Sequence, residues 1–193
     1  MKIKINKMQA AVFQLIEAIE LFFEERDPVS IHTLSGAALQ IINDHIKKVD
    51  SNIAIHPNSP YVNEEHRKAW IKAMNGPKNF FKHADRDIES GIIEINFETN
   101  INEYIIYGAI HNLKNIDAKL YQDNIVFSVF ETWFIHNHPE LFNKDIISSP
   151  IKILSNLEIK ITWDNKHSVL ELLTIMKKYN INTIEQLQKL CDS

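Results

Sequence analysis

Six long segments of this chain carry apolar residues at three- and four-residue spacing, most of them bracketed by helix-capping signals. That spacing places the apolar side chains on one helix face, which must be buried against another helix. Residues 7–25 carry Val12, Leu15, Ile16, Ile19, Phe22 and Phe23, and Arg26-Asp27-Pro28 stops the run. Residues 28–49 follow with Pro28 in the first turn and Ile31, Leu34, Ala38, Ile41, Ile42 and Ile46 as the stripe. Gly36, Ala37 and Ala38 leave a flat surface there for close approach of a neighbour.

Further helices are expected at 64–75, where Asn63 caps and Trp70, Ile71 and Met74 face inward, and at 77–84 after Gly76-Pro77. Asn100 with Glu103 predicts a capping box for 101–119, and Asp123 a cap for 124–136. Ser168/Glu171 and Thr183/Gln186 predict two more boxes, opening a hairpin of helices 169–179 and 184–191 joined at Asn180-Ile181-Asn182. Residues 92–98 and 157–163 alternate apolar and polar, as strands do, and can pair with each other. The expected fold is therefore mainly α, a bundle of five to seven helices with a short two-stranded ribbon of 92–98 with 157–163. Residues 1–142 form the main helical domain, and 150–193 a C-terminal strand and helical hairpin packed on it.

Composition removes several function classes. Cys191 is the only cysteine, which excludes a disulfide framework and a cysteine-based zinc site. Four glycines build neither a P-loop nor a dinucleotide fingerprint, and no Gly-x-Ser-x-Gly elbow is present. No cofactor is expected. A net charge of −4 provides no global field toward nucleic acid or an anionic membrane. No run approaches the roughly 18 apolar residues of a membrane span. The basic N-terminus leads into an amphipathic helix rather than a signal core, so a reducing cytoplasm is the expected location. The 31 isoleucines and 19 asparagines inflate strand propensity and supply asparagine without chemical cause, so asparagine motifs carry less weight here.

Polar chemistry concentrates at Asn75-Gly76-Pro77-Lys78-Asn79-Phe80-Phe81-Lys82-His83-Ala84-Asp85-Arg86-Asp87. In a helix, Asn79 and His83 share one face, and Phe80 with Ala84 another that anchors the segment. From 64 to 87 six cations (Arg67, Lys68, Lys72, Lys78, Lys82, Arg86) face four carboxylates (Glu64, Glu65, Asp85, Asp87), a locally basic stretch in an acidic chain.

Lys78-Asn79-Phe80-Phe81-Lys82-His83 resembles the motif of the HEPN family (higher eukaryotes and prokaryotes nucleotide-binding domains). These are helical bundles, many of them metal-independent ribonucleases in toxin, defence and RNA-processing systems. The family motif is an arginine, often followed by asparagine, and a histidine separated from the arginine by four to six residues. Asn79 and His83 match it. Lys78 stands in the place of arginine and offers a point charge without the planar bidentate fork. The resemblance implies His83 as general base or acid, Lys78 as the charge on the scissile phosphate, and Asn79 as the group that orients the imidazole. Lys82, Arg86 and Lys72 would then bind substrate RNA, and the site would be built across a homodimer.

Two other readings stand beside it. The apolar helix faces of a non-catalytic module would bind a protein partner or a second copy. His83-x-Asp85-x-Asp87 has the ligand types of a metal-dependent hydrolase, with His32, His45 or Asp44 to complete the set. His32 opens the second helix at a bundle end, where it meets His83 or packs locally. His136 suits a helix C-terminus.

Overall fold

The computed structural model describes residues 2–46, 64–82, 91, 93–142 and 161–191. Among them are eight α-helices: α1 (Lys7–Phe23), α2 (Pro28–Ile46), α3 (Glu64–Phe80), α4 (Ile101–Ile116), α5 (Ala118–Gln122), α6 (Ile125–Asn137), α7 (Lys166–Lys178) and α8 (Ile184–Cys191). A 3₁₀ turn, Pro139–Leu141, follows α6. The protein is the mainly α bundle that its periodicity predicts.

α1 begins at a capping box outside the predicted set: Gln9 N donates to Asn6 Oδ1 over 2.8 Å, and Asn6 N donates to Gln9 Oε1 over 3.0 Å. It ends with Glu25 in the left-handed region (φ 52°), Arg26 N donating to Leu21 O and Glu25 N to Phe22 O. Asp27 then caps α2, accepting from Ser30 N at 2.9 Å and Ser30 Oγ at 2.6 Å. Those bonds hold the Asp27 carboxyl below its ordinary range.

One core runs through the bundle. Leu15, Ile19, Phe22 and Phe23 of α1 meet Ile31, Ala38 and Ile42 of α2, Ile106, Ala109 and Ile110 of α4, and Phe127, Phe130 and Phe134 of α6. Phe22, Phe23, Phe130 and Trp133 interlock in edge-to-face and tilted pairs, with centroids 5.0–5.8 Å apart. The C-terminal hairpin joins this same core through Val169, Leu172, Met176, Ile181 and Leu187. Lys166 Nζ sits 3.8 Å above the Phe22 ring, Lys177 pairs with Glu20, and Ile125 N donates to Asn182 O.

Several boundaries differ from expectation. α3 is one helix, not two: Pro77 is buried three residues before its end, giving up a single N–H toward the Ala73 carbonyl. The expected helix 101–119 breaks at Asp117, whose side chain accepts from Leu120 N at 2.9 Å and starts α5. Asn124, not Asp123, precedes α6, and Asn165, not Ser168, caps α7. Ser168 Oγ instead accepts from Thr162 N. Asn100 makes no side-chain cap, because its own backbone is helical and Glu103 is bonded to His138. Thr183 and Gln186 do form their box.

Residues 93–98 and 161–163 form no strand, and residues 92 and 157–160 of the expected ribbon lie outside the described residues. The alternation at 93–97 has a different cause. Phe97 turns against His32 and Phe81, Ile95 faces α3, and Ile93 is exposed. The expected Asn63 cap and the 77–84 segment beyond Lys82 also lie outside the described residues.

A left-handed φ at a residue bearing a Cβ costs about 1–2 kcal/mol, less for asparagine than for glutamate. Both Glu25 and Asn180 (φ 52°) sit in this region at helix ends. Glu25→Gly is therefore expected to raise stability by about 1 kcal/mol, and Asn180→Gly by less. Urea denaturation of the two variants checks the order, and equal or reversed gains would refute it.

Candidate functional site

α3 presents two sides at its C-terminal end. On one side Met74 is buried and Lys78 lies along α2. A Cβ added at Gly36 would sit 3.6 Å from Lys78 Cδ, so the flat Gly36 surface receives the lysine stem. The Lys78 ammonium donates to Gln40 Oε1 at 3.0 Å, and Gln40 Nε2 donates to Asp44 Oδ1 at 3.1 Å. Burial pushes the Lys78 pKa down, the Lys82 charge adds to that, and the Asp44 carboxylate opposes it.

On the other side a groove of about 490 Å³ opens between α3 and residues 95–101. Lys72, Gly76, Asn79 and Phe80 line it from α3, and Ile95 and Asn96 are among the residues facing them. Asn79 and Lys72 thus reach this groove, whereas Lys78 does not line it. Lys82 is exposed one turn beyond Lys78. His83 and Arg86 lie outside the described residues, so the structure brings together Lys72 and Asn79 and leaves Lys78 on the α2 side.

His32 occupies the bundle end expected for it and packs locally. It is fully buried, its Nδ1 2.9 Å from Asn102 Oδ1. Asn102 Nδ2 donates to the Pro28 carbonyl at 3.0 Å, which makes Oδ1 the acceptor and puts the proton on His32 Nδ1. Nε2 is then a bare acceptor, and among the described residues no donor meets it. Phe81 and Phe97 stand edge-on to the ring, with centroids at 5.8 and 5.1 Å. Burial holds the imidazole pKa below its ordinary value, the Asn102 bond opposes this, and the charges of Lys78 and Lys82 lower it further.

Sequence reasoning missed the polar cluster beneath α6. Tyr121 Oη donates to Glu131 Oε2 at 2.6 Å, Ser128 Oγ donates to Tyr121 Oη at 3.0 Å, and Lys114 Nζ donates to both Glu131 oxygens at 3.1 and 3.2 Å. Burial and the Glu131 charge push the phenol pKa of Tyr121 strongly upward. It also missed the partner of His138, read with His136 as structural: its Nε2 meets Glu103 Oε2 at 2.8 Å. No linear spacing marks either group. His136, assigned to a helix terminus, lies in the last turn of α6.

Among the described residues, no group of three His, Cys, Asp or Glu side chains is placed to hold a metal ion. Of the completing ligands considered for His83, Asp85 and Asp87, His32 is buried on Asn102, His45 Nδ1 lies 2.8 Å from the Ile41 carbonyl, and Asp44 accepts from Gln40. Among the described residues no helix is long and apolar enough to cross a membrane.

The His32 geometry sets a pH dependence. Its folded pKa lies below the unfolded value near 6.5, so the unfolded chain binds the extra proton. The stability tied to neutral His32 is full above about pH 6.5 and is lost as pH falls toward the folded value, with a slope of at most about 1.4 kcal/mol per pH unit. Urea titrations between pH 8 and 5 are expected to show this slope, and His32→Gln to lower it. An equal slope in the variant would refute the assignment.

Comparison with known proteins finds no matching family model, curated protein or solved structure.

Proposed function

We propose that this protein is a HEPN-like RNA-processing or defence protein, a metal-independent endoribonuclease working in the cytoplasm as a homodimer. The observation that carries this reading is the C-terminal end of α3. There Lys72 and Asn79 line an open groove, while Lys78 and Lys82 follow on the same helical end of an all-helical bundle. In this reading His83 takes the proton of a ribose 2′-OH as its oxygen attacks the adjacent phosphorus. The 5′-oxygen leaves with a proton, giving a 2′,3′-cyclic phosphate and a 5′-OH. An imidazole suits both transfers because its charge changes near neutral pH. Lys78 balances charge on the phosphorane, Asn79 orients the imidazole, and Lys72, Lys82 and Arg86 hold the strand.

One observation favours a second reading, a non-catalytic module that binds a protein or a second copy. The Lys78 ammonium is engaged by Gln40 on the α2 side, away from the groove that Asn79 lines. A phosphate would have to draw it off that partner.

Single-stranded RNA incubated with the full chain in EDTA separates the two readings. The nuclease reading expects cleavage to cyclic-phosphate ends, a loss of about 100-fold or more in His83→Ala, and a gain in Lys78→Arg, which restores the bidentate fork. Cleavage that survives His83→Ala, or that EDTA abolishes, would refute it. No cleavage together with self-association unchanged in His83→Ala would leave the interaction module.

A further inference from the structure

We propose that the groove between α3 and residues 95–101 is a subsite for an unpaired nucleobase of a bound single strand; this rests on the RNA reading above. Gly76 is the first argument. It lies inside α3, where glycine weakens a helix relative to alanine, yet among the described residues a Cβ built on it meets nothing within 4 Å. Packing among the described residues does not require the missing side chain. Gly36 differs, since the Lys78 stem fills the space a Cβ would face. What the bare Gly76 does preserve is the open floor of the groove it lines.

The groove's chemistry selects the occupant. Its volume of about 490 Å³ lies within the range of small-ligand sites and exceeds that of one base. Its walls are largely apolar, through Pro77, Phe80, Ile95 and Ile101, and Phe80 offers a half-buried ring for stacking. Asn79, Asn96 and Asn100 also line it. A carboxamide carries a donor and an acceptor side by side, the pair that reads a base edge such as that of adenine. Lys72 and Glu98 both line the groove, and the exposed Lys82 lies farther along the same chain segment. That charge balance suits an anionic backbone continuing past a captured base rather than an apolar peptide.

The test uses the full chain with two probes, AMP by calorimetry and a 2′-O-methylated octa-adenylate by fluorescence anisotropy, which attack by the 2′-oxygen cannot cleave. The variant is Gly76→Phe, whose side chain enters the groove from open space. Wild type is expected to bind both probes, and Gly76→Phe to weaken both by tenfold or more with an unchanged circular dichroism spectrum. If Gly76→Phe fails to fold, Ala73→Leu fills the groove from the preceding turn. Octa-adenylate bound equally by wild type and a folded groove variant, or an abasic octamer bound as tightly as octa-adenylate, would overturn the subsite and leave the RNA reading standing. AMP binding lost in the variant, with no oligonucleotide bound or cleaved by wild type, would uphold the groove and refute the RNA reading. A failure of wild type to bind either probe would overturn the subsite. A dimer that dissociates in Gly76→Phe while octa-adenylate binding persists would assign the groove to a second copy instead.

Discussion

From Ile125 to Ile135, α6 is buried on nearly every side, and the bundle is arranged around what that demands. A helix without a solvent face must find partners for its polar groups within the protein, because an unpaired buried group costs several kcal/mol. Thr132 returns its hydroxyl to the Ser128 carbonyl at 2.8 Å. Glu131 is harder to satisfy, since a buried carboxylate is tolerated only when paired and hydrogen-bonded. Lys114 from the last turn of α4 and Tyr121 from α5 supply those partners. The break at Asp117 follows from this: it turns the chain so that Lys114 and Tyr121 converge on one carboxylate. The aromatic half of α6 faces Phe22 and Phe23, which positions α1, and the C-terminal hairpin covers the edge that remains.

α2 carries that order outward to the candidate site. Its inner stripe belongs to the core, while its flanks are tied by side-chain amides. His32 and Asn102 join it to α4, as do Asn43 and Asn112, whose side chains meet at 2.7 Å. Gln40 holds Lys78 of α3. These ties are directional and fix where α3 ends relative to α4. Phe81 and Phe97 close over His32, and the chain through residue 97 then forms the far wall of the groove. One fully buried imidazole thus links α2 to α4 and to the two aromatics beside the groove.

Helices were legible because their apolar residues recur at helical spacing. The stripe Val12, Leu15, Ile19 and Phe22 reads as a buried face, and it is one. The errors share a cause. Asn100 with Glu103 has the letters of a capping box, but Glu103 is bonded to His138, a partner 35 residues away that no local pattern shows. Residues 93–97 alternate as a strand does, yet the inward positions serve His32 and α3 rather than a ladder. Pro77 reads as a break because losing one N–H is local, whereas its burial against the bundle is not. Of the candidate site, Lys72 and Asn79 were legible as residues, while the groove they line was not. A groove belongs to two segments at once, and only packing joins them.

Neighbouring letters in a helical motif do not make neighbouring side chains. Residues i and i+1 project about 100° apart, given 3.6 residues per turn. Lys78 therefore meets α2 while Asn79 meets the groove, although they stand side by side in the sequence. A linear motif of this kind describes one chemical site only if a further body spans both sides of the helix. In the proposed function a polyanion lying across the end of α3 would span both, drawing Lys78 toward it from Gln40 while Asn79 stays at the groove. Burial and Lys82 disfavour the charge on Lys78, and a phosphate placed beside it would favour that charge. In the proposed function, charge on Lys78 is therefore coupled to occupancy of the helix end, and this coupling distinguishes a site from a coincidence of letters.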